Sequence, residues 1–303
     1  MNNAFAIAGV PQGSLHKHWK TIHLGAQKAV RDLRTQGVSI NLSWNAPLRE
    51  DDREDQKKIV AGFIKKQVNG MMLAPFDSHS LVPSVEEGAR AGIPTVVIDS
   101  ALDTNQVVSY VATDNKKAGA LAADRMGELL NGRGRVLVLR YQQGSASTED
   151  REEGFVERLR RAFPGIAAIL SDDYAGATRD TAKRASEVVL ARYSKDLQGI
   201  FTPNESSTAG MLMALQTMQL AGKLVFVGFD ASDMYLDSMR YKQIHGLVVQ
   251  DPFRMGEIGL RTLVDHLEGR AVPKRIDTGA KMATPENMDT PEMQELLRPA
   301  TTR

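Results

Sequence analysis

The stretch GIFTPNESSTAGMLMALQTMQLAGKLVFVGFD, residues 199–230, decides the fold class. Residues 199–202 and 225–229 are mostly apolar, as in strands that are buried on both faces. Between them, residues 207–218 have the length and the apolar spacing of a helix. A strand, a helix and a second buried strand in this order predict a βαβ unit with two parallel strands.

The same alternation runs along the rest of the chain. Further strands are predicted at residues 4–10, 38–44, 70–74, 94–98, 135–139, 167–170 and 246–249. Further helices are predicted at 19–35, 55–68, 81–91, 118–130, 151–161, 178–193, 234–241 and 255–267. This rhythm predicts an α/β protein built from doubly wound parallel sheets, whose ligands bind beyond the carboxyl ends of the strands.

Composition limits the classes of function. The 303 residues are enough for two lobes of ordinary domain size. The 38 Lys and Arg nearly balance the 37 Asp and Glu, so there is no electrostatic case for a nucleic-acid partner. The absence of cysteine excludes disulfides and thiolate metal sites. No apolar run approaches the roughly 18 residues of a membrane span. No signal peptide precedes the first strand, so an exported protein would have lost it already.

Motifs of catalysis are missing from the sequence. The segment GVPQG at residues 9–13 lacks the G-x-G-x-x-G spacing of a dinucleotide site. There is no phosphate-binding loop of the form G-x-x-x-x-G-K-[ST] and no G-x-S-x-G elbow. The histidines do not have metal-ligand spacing. We therefore expect no catalytic residues, no cofactor and no metal.

Polar and aromatic side chains recur where the predicted strands end. Asp, Asn, Gln and Arg can each make paired hydrogen bonds to the adjacent hydroxyls of a polyol, and aromatic rings can cover the apolar face of a sugar. The sequence therefore predicts a sugar or polyol site. Its candidate residues are His16, His18, Trp19, Asp99, Ser100, Arg151, Tyr174, Asn204, Phe229, Asp230 and Gln250.

Several of these residues also have a purely structural explanation. Asp99 could cap a strand end, Asn204 could cap the helix that follows it, and Asp230 could be a turn residue. Arg151 could pair on the surface with a glutamate of its own helix. Trp19 at a helix start could be a packing residue and no stacking platform. Position in the sequence leaves these alternatives open.

Seven short runs at the strand ends occur in one order over nearly the whole chain. They are LAPFDS (73–78), PTVVIDS (94–100), VATDN (111–115), GSASTEDREEGF (144–155), IFTPNE (200–205), VGFD (227–230) and VQDPFRMG (249–256). In these runs the chain resembles the ribose/galactose class of periplasmic sugar-binding proteins, the type I solute-binding proteins of ABC importers.

The resemblance implies which side chains contact the sugar and which sugar is expected. Ser100 stands where ribose-type members have arginine, His18 stands where they have an aromatic ring, and Ala74 replaces a polar contact. A larger or differently substituted polyol than ribose is therefore expected. Tyr174 lies at a position that is often aromatic. The contacts carried over by motif are His18, Trp19, Asp99, Arg151, Asn204, Asp230 and Gln250.

The resemblance also implies an architecture of two lobes joined by a three-strand hinge, with the ligand cleft between them. The chain is expected to cross between lobes near residues 113–114, 250–251 and 275–276. The N-terminal lobe would hold 1–113 plus 251–275, and the C-terminal lobe 114–250 plus 276–303. A ligand that contacts both lobes would favour a closed state by hinge motion.

The function expected from this resemblance is sugar binding without catalysis. The chain would be a monomer in the periplasm or another extracytoplasmic space, and it would deliver its sugar to an ABC permease. Two alternatives remain at this point. One is the effector-binding core of a LacI-type repressor, which shares the fold and would carry a DNA-binding domain ahead of the first strand. The other is the sugar-sensing ectodomain of a receptor.

Overall fold

The computed structural model describes residues 4–298 of the chain. The strands are β1 (Phe5–Val10), β2 (Ile40–Trp44), β3 (Gly70–Leu73), β4 (Thr95–Ile98), β5 (Ser109–Ala112), β6 (Arg133–Arg140), β7 (Gly165–Tyr174), β8 (Gly199–Phe201), β9 (Val225–Phe229), β10 (Gly246–Gln250), β11 (Arg275–Asp277) and β12 (Ala280–Ala283). The helices are α1 (Lys17–Thr35), α2 (Arg53–Lys65), α3 (Val82–Arg90), α4 (Asn115–Leu129), α5 (Ala146–Ala162), α6 (Arg179–Tyr193), α7 (Glu205–Thr217), α8 (Asp233–Arg240), α9 (Pro252–Leu267) and α10 (Pro291–Leu297).

The contacts among the described residues divide the chain into two units. The first holds residues 4–113 and Asp251–Thr278, and the second holds Asp114–Gln250 and residues 279–298. From the sequence, we expected the chain to cross between the lobes for the last time near residues 275–276. The division falls instead after Thr278, because β11 pairs in parallel with β5 and so belongs to the sheet of the first unit.

Each unit is built on one sheet of six strands within the described residues. The first sheet has the order β11-β5-β4-β3-β1-β2, and its neighbouring strands are parallel. The second has the order β12-β10-β9-β8-β6-β7. Its strands are parallel except β12, which pairs antiparallel with β10. The predicted α/β fold with two parallel-sheet lobes is confirmed, with an antiparallel edge strand that the sequence did not predict.

The apolar runs of the strands are explained by helices on both faces of each sheet. In β3, Met71 and Leu73 belong to the hydrophobic cluster on one face, while Met72 belongs to the cluster on the other. In β8, Ile200 and Phe201 divide in the same way. Because successive side chains of a strand point to opposite faces, a strand covered on both sides needs apolar residues at every position.

Backbone contact between helices occurs on one face of the first sheet, where α1 packs against α9. A Cβ atom added to Gly25 would lie 1.8 Å from the carbonyl oxygen of Phe253, and one added to Gly256 would lie 1.9 Å from that of Ile22. No side chain can occupy either position without moving a helix.

Candidate functional site

In the second unit, Arg151 is the centre of a buried hydrogen-bonded group at the carboxyl ends of the strands. Its side chain is almost fully buried. Nε donates to Asn115 Oδ1 at 2.8 Å, Nη1 to the carbonyl oxygen of Pro203 at 2.9 Å, and Nη2 to Gln250 Oε1 at 2.9 Å. The guanidinium also lies over the ring of Phe229, 4.2 Å from its centroid. Three directed bonds and one stacked face hold the guanidinium in one orientation.

This arrangement leaves part of the guanidinium available. A guanidinium has five N–H groups, and three of those of Arg151 donate to protein acceptors. One N–H on Nη1 and one on Nη2 therefore find no acceptor among residues 4–298. These two N–H groups can donate to two neighbouring oxygens.

Gln250 connects Arg151 with Asp230. Gln250 is the last residue of β10, and its Nε2 donates to Asp230 Oδ1 at 2.8 Å. Its Oε1 accepts from Arg151, so the two bonds together fix the orientation of the amide. No described residue donates to the other carboxylate oxygen of Asp230, which directly follows β9. The group therefore presents donors at Arg151 and an acceptor at Asp230.

The position of Arg151 depends on backbone contact between α4 and α5. A Cβ atom added to Gly119 would lie 2.1 Å from the carbonyl oxygen of Arg151, and one added to Gly154 would lie 2.2 Å from that of Lys116. Asn115 begins α4, and this close packing brings its side chain to the guanidinium. Asn115 was not predicted as a site residue, although it ends the VATDN run that carries part of the resemblance.

Asn204 is the N-cap of α7. Its Oδ1 accepts from the Ser207 N–H at 3.3 Å, and the Ser207 hydroxyl accepts from the Asn204 N–H at 3.2 Å. The capping explanation offered by the sequence is therefore confirmed. A sugar contact by the same amide stays a prediction.

Tyr174 ends β7 and is partly exposed. The guanidinium of Arg140 lies over its ring, 4.6 Å from the centroid. The pairing register of β6 with β7 shifts between Val138 and Arg140, which marks a bulge. Ser171 bridges it, accepting from the Arg140 N–H at 3.2 Å and donating to the carbonyl oxygen of Asp173 at 2.6 Å. Bulges can re-aim neighbouring side chains, and this one lies directly before Tyr174.

In the first unit, His18 and Asp99 form a close pair. His18 Nε2 and Asp99 Oδ1 are 2.7 Å apart, and both side chains are largely buried. Asp99 follows β4 directly, and Ser100 beside it is fully buried. The Tyr110 hydroxyl donates to the carbonyl oxygen of Asp99 at 3.2 Å. The structure thus brings together three residues that the sequence predicted for the site: His18, Asp99 and Ser100.

Trp19 lies in the hydrophobic core of the first unit, which agrees with the packing explanation for this residue. Its indole N–H donates to Glu50 Oε1, and the His16 ring nitrogen lies 3.9 Å from the same oxygen. The ring of His18 meets that of Trp19 edge to face, with centroids 4.9 Å apart. Glu50 was not predicted from the sequence, although it follows a predicted strand as the other candidates do.

Within residues 4–298, no group of three or more His, Asp and Glu side chains is arranged to hold a metal ion. No helix in that part of the chain has the length and apolar character needed to cross a membrane.

Comparison with known families agrees with this geometry. The model of the periplasmic binding protein domain matches residues 7–271. The chain therefore belongs to the periplasmic binding protein family, which confirms the resemblance seen in the sequence.

Particular relatives are sugar-binding proteins. The chain is 26% identical over 236 residues to the ribose import binding protein RbsB of Bacillus subtilis (strain 168), covering 78% of this chain and 75% of that protein. It is 26% identical over 257 residues to the D-allose-binding periplasmic protein of Escherichia coli (strain K12), covering 82% of this chain and 81% of that one.

Solved structures are similar over the full chain length. A carbohydrate transporter solute-binding protein from Agrobacterium radiobacter, in complex with D-arabinose, has a TM-score of 0.90 and 27% identity, with 98% and 100% of the two chains covered. An ABC transporter solute-binding protein from Agrobacterium vitis with bound D-fucose has a TM-score of 0.88 and 31% identity, with 96% and 99% covered.

Proposed function

We propose that this chain is the solute-binding protein of a sugar importer, which binds a sugar or related polyol and releases it unchanged to an ABC permease. The observation that carries the proposal is the buried guanidinium of Arg151, which keeps two N–H groups without a protein acceptor. The named relatives and structures are solute-binding proteins, which favours this function over a repressor core.

The charges around Arg151 favour a neutral ligand. Its two remaining N–H groups suit two adjacent oxygens, which a vicinal diol and a carboxylate both provide. Asp230, however, stands next in the same hydrogen-bonded group and offers its second carboxylate oxygen as an acceptor. A hydroxyl can both donate and accept, whereas a ligand carboxylate would be repelled by Asp230. We therefore propose a neutral sugar or polyol over a sugar acid.

The residues of the first unit provide a second set of polar groups. We propose that His18, Asp99 and Ser100 also bind sugar hydroxyls, as the resemblance implies. The Asp99 carboxylate is largely buried beside His18, so a sugar hydroxyl that donates to it would form a charge-assisted hydrogen bond. The permease partner and the periplasmic location belong to the same proposal, and they rest on the family.

The proposal is tested by calorimetric titration with D-ribose, D-allose, D-arabinose, D-fucose and xylitol, and with a sugar acid for comparison. At least one neutral compound should bind. When the free concentration of that compound is about 100 times its dissociation constant, binding should stabilise the fold by about 2.7 kcal/mol. The bound sugar should be recovered chemically intact.

A matched pair of variants locates the site. Arg151→Ala should abolish binding, while Arg158→Ala should leave it unchanged. Arg158 lies on the same helix, is partly exposed and pairs with Asp124 at 2.6 Å. Failure of every neutral compound to bind, or equal losses in both variants, would contradict the proposal.

A further inference from the structure

A buried carboxylate that takes no part in the Arg151 group holds the β6–α5 loop, residues 141–145. This carboxylate belongs to Glu152, which is 5% exposed. Its Oε1 accepts from the backbone N–H of Tyr141 at 3.1 Å, and its Oε2 accepts from Arg140 Nε at 3.4 Å. A second carboxylate of the same helix, that of Glu149, accepts from the Gly144 N–H at 2.8 Å. Helix α5 thus fixes the loop through two acidic side chains.

Arg140 connects this carboxylate to the candidate sugar site. Its guanidinium contacts Glu152 on one side and lies over the ring of Tyr174 on the other. Arg140 and Tyr174 also face each other across the bulge between β6 and β7. Movement of Arg140 would therefore change how the ring of Tyr174 is presented.

We propose that Glu152 is a positioning residue for sugar binding, whose ionised carboxylate holds the β6–α5 loop and, through Arg140, the ring of Tyr174 in the arrangement that receives the sugar. This inference rests on the proposed function, because it assumes that Tyr174 covers a sugar. Glu152 itself does not touch the sugar.

The protonation of Glu152 makes this arrangement dependent on pH. Burial raises the pKa of Glu152 to about 7, against the opposing effects of the Tyr141 N–H and of Arg140. The charge of Glu149 on the same helix raises it further. Below this pKa the neutral carboxyl attracts Arg140 less strongly, so the loop and the ring are held less firmly.

Charged groups on the other elements next to α5 have partners of their own. Lys116 of α4 pairs with Glu153 at 2.9 Å, and Asp173 of β7 lies 3.6 Å from Arg192. Arg140 is therefore the cation that acts on Glu152 from the neighbouring strand.

The test compares wild type with Glu152→Gln, which keeps the size of the side chain and an acceptor for Tyr141 but cannot ionise. The probe is whichever sugar of the five-compound panel binds most tightly, measured at pH 6 and pH 8. Affinities should be equal at pH 6, and at pH 8 the variant should bind roughly fivefold more weakly, as for loss of one partly exposed ion pair. The ratio of the two affinities cancels the effect of pH on the rest of the protein.

Two further variants sharpen the comparison. Glu153→Gln, the same substitution at the neighbouring exposed residue, should follow wild type at both pH values. Arg140→Gln should weaken binding at pH 8 as Glu152→Gln does, and the double variant should lose no more than either single variant. A ratio that does not change with pH, or losses that add in the double variant, would overturn the inference.

A readout without sugar separates this inference from the proposed function. The amide proton of Tyr141 should shift in NMR spectra with a midpoint near pH 7 in wild type and in Glu153→Gln, but not in Glu152→Gln. If no sugar binds at either pH, the proposed function fails, and this titration alone decides whether Glu152 holds the loop. An amide signal that is the same in wild type and Glu152→Gln overturns the positioning role.

Discussion

Asp99 and Asp230 occupy equivalent places in the two sheets, and both have a left-handed backbone, with φ of 65° and 66°. Asp99 follows β4 and donates its N–H to the Val111 carbonyl of β5 at 3.2 Å. Asp230 follows β9 and donates to the Val248 carbonyl of β10 at 2.8 Å. A left-handed backbone disfavours most side chains, and its recurrence at strand ends beside the candidate site suggests that function maintains it.

The backbone at these positions predicts that glycine variants lose far more in sugar binding than in folding stability. Asp230→Gly should keep the free energy of unfolding within about 1 kcal/mol of wild type, because glycine adopts a positive φ freely. Asp99→Gly should lose more, because it also removes the buried carboxylate that pairs with His18. Sugar affinity should fall about tenfold to a hundredfold, since hydrogen bonds to a charged group are lost. Chemical denaturation and calorimetry measure the two effects.

The β-branched variant Asp230→Val should instead destabilise the fold by about 1–3 kcal/mol. Unchanged sugar affinity in the glycine variants would show that Asp99 and Asp230 serve only the turn and do not bind sugar.

The fork geometry of Arg151 predicts that lysine cannot replace it. Arg151→Lys keeps the charge but leaves Asn115 and Gln250 without their shared donor, so sugar binding should weaken by about 2–5 kcal/mol in calorimetry. Asn115→Ala should cost less, about 1–2 kcal/mol, because it only loosens the guanidinium. Arg158→Lys on the same helix is the control and should bind as wild type. Wild-type affinity in Arg151→Lys would show that charge alone matters there.

The raised pKa of Glu152 predicts how stability changes with pH. Because the folded-state pKa is about 7 and the ordinary value is 4.5, the folded state binds the proton more tightly. Protonation of Glu152 therefore stabilises the folded state. This stabilisation is complete below about pH 4.5 and is lost as the pH rises through 7, which lowers the free energy of unfolding by about 3 kcal/mol. Relative to wild type, the free energy of unfolding of Glu152→Gln should therefore rise by about 3 kcal/mol between pH 4.5 and pH 8, as measured by urea denaturation. With Glu153→Gln the difference from wild type should stay flat. A flat difference for Glu152→Gln as well would rule out a raised pKa.

The backbone contact of α4 with α5 predicts which glycines tolerate alanine. Gly119→Ala places a Cβ atom against the carbonyl oxygen of Arg151, so the helices must separate. We expect a loss of about 3 kcal/mol or more in the free energy of unfolding, together with weaker sugar binding. Gly62→Ala is the control, because nothing lies within 4 Å of its Cβ position in α2. It should stabilise the protein by about 0.5–1 kcal/mol.

The sequence predicted those elements whose own residues carry a clear pattern. The strand at residues 225–229 has the predicted bounds, since its apolar run ends at Asp230. β5 was missed because Ser109 and Tyr110 interrupt the apolar pattern of a four-residue strand. β11 and β12 were missed for the same reason, since charged residues interrupt both.

The partners of Arg151 show what local sequence cannot predict. The local explanation of Arg151 was a surface pair with a glutamate of its own helix, and it was wrong, because the side chain is buried and bonds elsewhere. The acceptors of Arg151 lie 36, 52 and 99 residues away along the chain. Burial of the side chain by the α4–α5 contact makes those distant oxygens the nearest ones. The family resemblance implied a sugar contact for Arg151 but did not predict these protein partners.

The bulge in β7 also affects how the protein behaves at high concentration. β7 is the outer strand of its sheet, and Leu170 just before the bulge is 44% exposed. An outer strand with exposed apolar residues can template the addition of a strand from another molecule, which is the first step of aggregation. The bulge at Ser171 breaks the regular ladder, and Asp172 and Asp173 place negative charge where an incoming strand would align. The irregularity just before Tyr174 therefore also hinders the addition of a strand at this edge.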